Sequence, residues 1–263
     1  MSFYEWLFSM AEYPIIDNPV VNGRWGLLHI LTLLCSILAI IGIAFIYKYS
    51  KNKEKTRKII LFTLAGILLF FDIVIKFVRF HNYWNQLTFK QVMWILLPRP
   101  WCAISGWSLI LCGVVNKNFF YNYASTTALL CAIMFFICPG VGYNNKYILF
   151  DNLYSIVTHC VLLIMSISLI TLRYADFRYT KHIWKEALAL ILTIIYAIIM
   201  IILKFESDPM YFMPNGDIQT GILGISYILY IILYVVFLLL YFNTFYIITE
   251  RTKIKNIFKN KNK

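Results

Sequence analysis

The stretch Leu96–Trp107, "LLPRPWCAISGW", decides how the chain is counted. If it belongs to a membrane helix, the apolar runs number seven and the two termini lie on opposite sides of a bilayer. Pro98 and Pro100 cannot continue a helix begun near Gln91, because proline lacks an N–H and clashes with the preceding turn. Proline does suit the first turn of a new helix. The segment therefore reads as one span, Gln91 to Val115, broken and restarted near Arg99 or Pro100, with Cys102 in the first turn after the break.

The rest of the chain supports a bilayer. It has 263 residues, 61% of them hydrophobic and only 14% charged, and its mean hydropathy is +0.72. That is far more apolar surface than one soluble core requires. Six other runs are of spanning length: Gly26–Tyr47, Ile59–Phe80, Tyr123–Pro139, Leu149–Leu172, Ala187–Leu203 and Gly221–Ile248. Each must be helical, since an open strand leaves backbone polar groups unpaired in lipid. The expected fold is an all-α bundle of seven transmembrane helices.

Charge sets its direction. The net charge of +12 is not spread over a phosphate-binding face; it sits in tracts between the spans, which argues against nucleic acid as a partner. Lys48, Lys51, Lys53, Lys55, Arg57 and Lys58 lie between the first two spans. Arg173, Arg178, Lys181 and Lys185 lie between the fifth and sixth. Six lysines and arginines follow the last span. The alternate connectors are nearly free of base, and one is acidic, with Glu206, Asp208 and Asp217. Basic connectors stay in the cytoplasm. The expected organisation is an extracellular arm over 1–25, a membrane domain over 26–248 and a basic cytoplasmic tail over 249–263, in a multi-pass protein of the cell membrane.

With direction assigned, each intramembrane polar residue acquires a depth. At about 1.5 Å per residue, His29 lies ~5 Å below the outer boundary, Asp72 ~12 Å, His159 ~15 Å and Cys102 at most ~16 Å. Lys76 and Arg79 are shallower than Asp72. The ionisable groups of four spans thus gather in the outer half. Asp72, Lys76 and Arg79 follow i, i+4, i+7 spacing, so Asp72 and Lys76 can pair. Asn152, Ser155, His159 and Ser166 form one polar stripe that should face the bundle interior. His29, near the boundary, suits an entrance.

Chemistry concentrates at two residues. A first-turn cysteine meets the free N–H groups and positive end of its helix, which favour a thiolate, and Arg99 adds positive charge nearby. A histidine at similar depth can take the thiol proton, so Cys102 and His159 suffice for covalent acyl chemistry. The other cysteines read as small apolar fillers. His29, Asp72, Cys102 and His159 are ligand types without a local metal-spacing motif, so no metal is assigned.

At these positions the chain resembles the YwaF family of integral membrane proteins, itself similar to a eukaryotic transmembrane group of ether-phospholipid acyltransferases. The shared features are "WGLLH" ending at His29, "FFDIVIK" with Asp72 and Lys76, "LPRPWC" ending at Cys102, "ICP" ending at Pro139 and "FDNLYSIVTH" ending at His159. Where the family usually reads like "NYMYL", this chain has "DPMYFM" at 208–213. The resemblance implies Cys102 as nucleophile and His159 as base. It further implies membrane phospholipids and lysophospholipids as partners, no cofactor, and an acyl group moved through a cysteine thioester. With water as acceptor the same site is a lipase. His29, Asp72, Lys76, Arg99 and Ser155 are expected to support substrate or structure. The alternative is an outer-facing cavity that binds or transports a solute or ion without catalysis.

Overall fold

The computed structural model describes residues 2–9, 25–99, 101–115, 117–137, 143, 148–177, 179–205, 210, 214 and 223–261. Pro100, Pro139, most of the arm and the acidic residues of the last connector lie outside them. The described residues are helical, with no strand. Six helices are long and apolar enough to cross a membrane: α2 (Leu27–Tyr49), α3 (Lys53–Tyr83), α6 (Asn118–Ile137), α7 (Phe150–Thr171), α8 (Tyr179–Ile202) and α9 (Tyr227–Lys261). The segment expected as the third span is two short helices, α4 (Phe89–Leu96) and α5 (Cys102–Leu111). A six-residue helix, α1 (Phe3–Phe8), precedes them all.

Helix ends follow the local chemistry. Ser2 with Glu5, and Thr88 with Gln91, form reciprocal capping boxes at the starts of α1 and α4. The Asn52 side chain accepts the Lys55 N–H at 3.0 Å to start α3. The long apolar helices end differently. Arg173 after α7 and Lys204 after α8 both adopt positive φ, 60° and 57°. The following N–H then folds back five residues, Tyr174 to the Leu169 carbonyl and Phe205 to the Met200 carbonyl, each at 2.9 Å. A cation at each helix C-terminus also complements its dipole.

The chain divides into two compact units, Met1–Tyr174 and Ala175–Lys263. In the first, α6 is the centre: 72% of its most apolar window is buried, against 6% for α2. It packs on α5 and α7, and α7 also meets α2, α3 and α5. Small residues permit this approach, with Ala124, Ala128 and Ala132 of α6 fully buried. The connector after α6 is tied to α2 where the Tyr143 hydroxyl meets Thr32 Oγ1 at 2.6 Å. Burial pushes that phenol up to about 12, so it stays protonated. Helix α1 packs on α3 and α7: Trp6 Nε1 donates to the Ile148 carbonyl at 2.9 Å, and the Phe8 ring lies tilted against His81, centroids 4.0 Å apart.

In the second unit α8 pairs with α9. Phe177 packs on Phe245 and Tyr246, and the Tyr234 hydroxyl donates to the Met210 carbonyl at 2.8 Å. Apolar side chains along α2 and α9 are widely exposed, the surface a bilayer would cover.

Candidate functional site

All seven residues singled out in the sequence belong to the first unit. The break behaves as proline chemistry requires. Helix α4 ends at Leu96 with Leu97 as C-cap, and α5 begins at Cys102 with Trp101 as N-cap. Trp101 offers no side-chain cap, so the first N–H groups of α5 have no side-chain acceptor there. Cys102 is half-buried at this helix start.

The thiol meets an imidazole. Its neighbours are the His159 ring and the Cys131 thiol of α6, both close enough to bias its proton. His159 Nδ1 donates to the backbone carbonyl of Ser155, one turn earlier, at 2.7 Å. That bond places the ring proton on Nδ1 in the neutral form and leaves Nε2 as a proton acceptor. Phe135 of α6 stacks parallel on the ring, with centroids 3.9 Å apart and planes 7° apart, fixing its plane. The contribution of Ser155 is therefore its carbonyl; its hydroxyl is not what orients the ring.

The charged residues stand beside this pair. Lys76 Nζ is 2.7 Å from Asp72 Oδ2, both side chains largely buried, and Lys76 also lies over the Trp107 ring at 4.7 Å. Arg79 faces Asp151 at 3.7 Å. Arg79 and Arg99 share the Trp94 indole, at 5.5 and 4.4 Å from its centroid. A small cavity of about 20 Å³ is bounded by Asp72, Cys102, Gly106, Trp107, Tyr154 and Thr158. It has room for about one water, so an acyl chain requires it to widen. A larger hollow, about 530 Å³, lies near the start of α3 against Asn52, Lys55 and Thr63 and includes none of the site residues.

His29 is placed elsewhere than at an entrance. It is 1% exposed, packed among Trp25, Phe136 and Tyr143, and it does not line the cavity. The boundary position left its ring a choice between solvent and aromatic packing, and the aromatics of α6 and its connector took it. Conversely, Cys131 was missed. It looked like a filler in an apolar run, and no local spacing links residues on α5 and α6. Among the described residues, no group of three or more His, Cys, Asp or Glu side chains is placed to hold a metal ion.

Comparison with known proteins agrees with a membrane bundle. The model of the TMEM164 family matches residues 24–246, which include every residue of the site. No curated protein and no solved structure matches the chain.

Proposed function

The chain belongs to the TMEM164 family, a family of membrane proteins, and from that premise we propose an acyltransferase that moves an acyl chain between phospholipids through a thioester on Cys102. One observation carries the reading: the Cys102 thiol stands beside the His159 ring at the start of a helix. His159 Nε2 takes the thiol proton, and the sulfur attacks the ester carbonyl of a phospholipid. The developing oxyanion lies within reach of the N–H groups of the first turn of α5. His159 then returns the proton to the departing lysophospholipid oxygen, leaving the thioester. An acceptor hydroxyl, deprotonated by His159, attacks that thioester and releases Cys102. Exchange between esters needs no cofactor. Water as acceptor makes the outcome hydrolysis.

The setting is a multi-pass protein of the cell membrane with its N-terminus outside. In it, α4 and α5 together form the third of seven crossings. Their 18 helical residues rise about 27 Å, close to the ~30 Å hydrocarbon thickness before the linker is added. Asp72 with Lys76, and Arg79 with Arg99, then lie on the headgroup side of the thiol.

The test uses purified protein, a phospholipid with a labelled acyl chain, and a lysophospholipid acceptor. Wild type and Cys35→Ala, a change at an exposed thiol of α2, transfer label. Cys102→Ala abolishes transfer, and His159→Ala lowers it by about 10²–10⁴-fold, the range of general acid–base catalysis. Equal transfer by all four proteins, or none by any, removes the enzyme and leaves an outer-facing binding protein.

A further inference from the structure

The transfer mechanism uses one of the two thiols that meet at the site. Cys131 occupies a stripe of α6 on which Ala124, Ala128 and Ala132 supply the small side chains that close packing needs. Alanine would serve there equally well as a spacer. Instead a second thiol, 1% exposed, stands beside Cys102, with Ser105 Oγ at 3.4 Å. Ser105 has a single proton, and it is directed to the Trp101 carbonyl at 3.0 Å. With the Ser105 proton on the Trp101 carbonyl and the Cys102 proton directed to His159, the Cys131 S–H is the proton that the Cys102 sulfur can accept.

We propose that Cys102 and Cys131 are a redox-modification site: a hydroperoxide oxidises Cys102, Cys131 closes a reversible disulfide with it, and the transfer site is held shut until a thiol reductant reopens it. Cys131 Sγ lies 3.4 Å from the Oγ of Ser105, which shares a face of α5 with Cys102 one turn earlier, so the ~2.0 Å disulfide would join two thiols of one α5–α6 contact. The roles are unequal. Cys102 is half-buried at the cavity, beside the base His159, and can meet an external oxidant. Cys131 is sealed from everything except its neighbours, which is the setting of a resolving thiol. Cys160 lacks this arrangement, since its thiol neighbours Ser36 instead.

The chemistry balances as follows. His159 takes the Cys102 proton, and the thiolate attacks the outer oxygen of R–O–O–H. An S–O bond forms, the O–O bond breaks, and the RO⁻ group leaves with the proton from His159 as an alcohol, giving a sulfenic acid. The Cys131 sulfur then attacks the Cys102 sulfur. The S–S bond forms, and hydroxide leaves with the Cys131 proton as water. Two electrons from the thiol pair have reduced one hydroperoxide. Loss of transfer in the oxidised form rests on the proposed function; the disulfide itself does not.

The experiment takes the full chain in phospholipid nanodiscs, treats it with cumene hydroperoxide, alkylates the remaining thiols after denaturation and maps peptides. Wild type is expected to give a 102–131 cross-linked peptide that dithiothreitol dissolves, with transfer lost on oxidation and regained on reduction. Cys131→Ser has no resolving thiol, so Cys102 is expected to advance to sulfinic acid, which dithiothreitol does not reverse. The proposal is overturned if wild-type Cys131 remains fully alkylatable after oxidation. It is equally overturned if Cys102 reaches sulfinic acid as fast in wild type as in Cys131→Ser. A cross-link in a protein that never transfers acyl groups would instead overturn the transferase and leave the thiol pair standing.

Discussion

Asp72 and Lys76 show how far a single side chain constrains this molecule. A lone carboxylate in the middle of a membrane helix costs about 3 kcal/mol on insertion scales. Its partner one turn later, at 2.7 Å, removes most of that cost. With both side chains less than a fifth exposed, the pair cannot lean on water when one member is lost. Lys76→Met or Asp72→Asn alone should destabilise the first unit by about 3–5 kcal/mol, and the double variant should recover most of the loss. Thermal unfolding in detergent measures both. Equal losses in single and double variants would show that the two residues act separately. The pair was legible from i, i+4 spacing. The turn of the His159 ring was not, because the Ser155 carbonyl that holds Nδ1 is backbone and the Phe135 that stacks on it is remote in sequence.

At the scale of elements, the break between α4 and α5 is what makes Cys102 a first-turn residue. Proline in a helix interior costs about 3 kcal/mol, so replacing both prolines, Pro98→Ala with Pro100→Ala, favours a helix running through the gap. Cys102 would then lie mid-helix, without the free N–H groups that favour a thiolate. Alkylation of Cys102 by a small maleimide is expected to slow by about tenfold, since the thiolate is the reacting form. An unchanged rate would mean that His159 alone activates the sulfur. The long helices were legible because lipid permits little else for runs of about twenty apolar residues. The end of α7 before Arg173 moved by one residue, whereas α3 starts six residues earlier than its apolar run, where Asn52 caps it inside the basic connector. Which helices pair was not legible. Nothing in the α6 sequence announces that Cys131 rather than Ala132 meets Cys102.

Across the whole chain, charge and hydropathy answer different questions. Hydropathy marks six long helices, and two short ones with a gap between them. Charge alternates, basic connectors following nearly base-free ones, which in the proposed topology puts the ends on opposite sides. That topology needs α4 and α5 to cross together. Tags at the two termini of intact cells should therefore differ: the N-terminal tag open to an external protease, the C-terminal tag protected until the membrane is permeabilised. Protection of both, or exposure of both, would mean six crossings and would return the broken segment to one face of the bilayer.

The account turns on a covalent bond to one sulfur. Wild-type protein incubated with a phospholipid carrying a labelled acyl chain, quenched in acid and mapped by mass spectrometry, should show the acyl mass on the peptide that contains Cys102. The adduct should be released by hydroxylamine and absent from His159→Ala. Label confined to other residues, or no adduct while transfer proceeds at its full rate, would contradict the thioester.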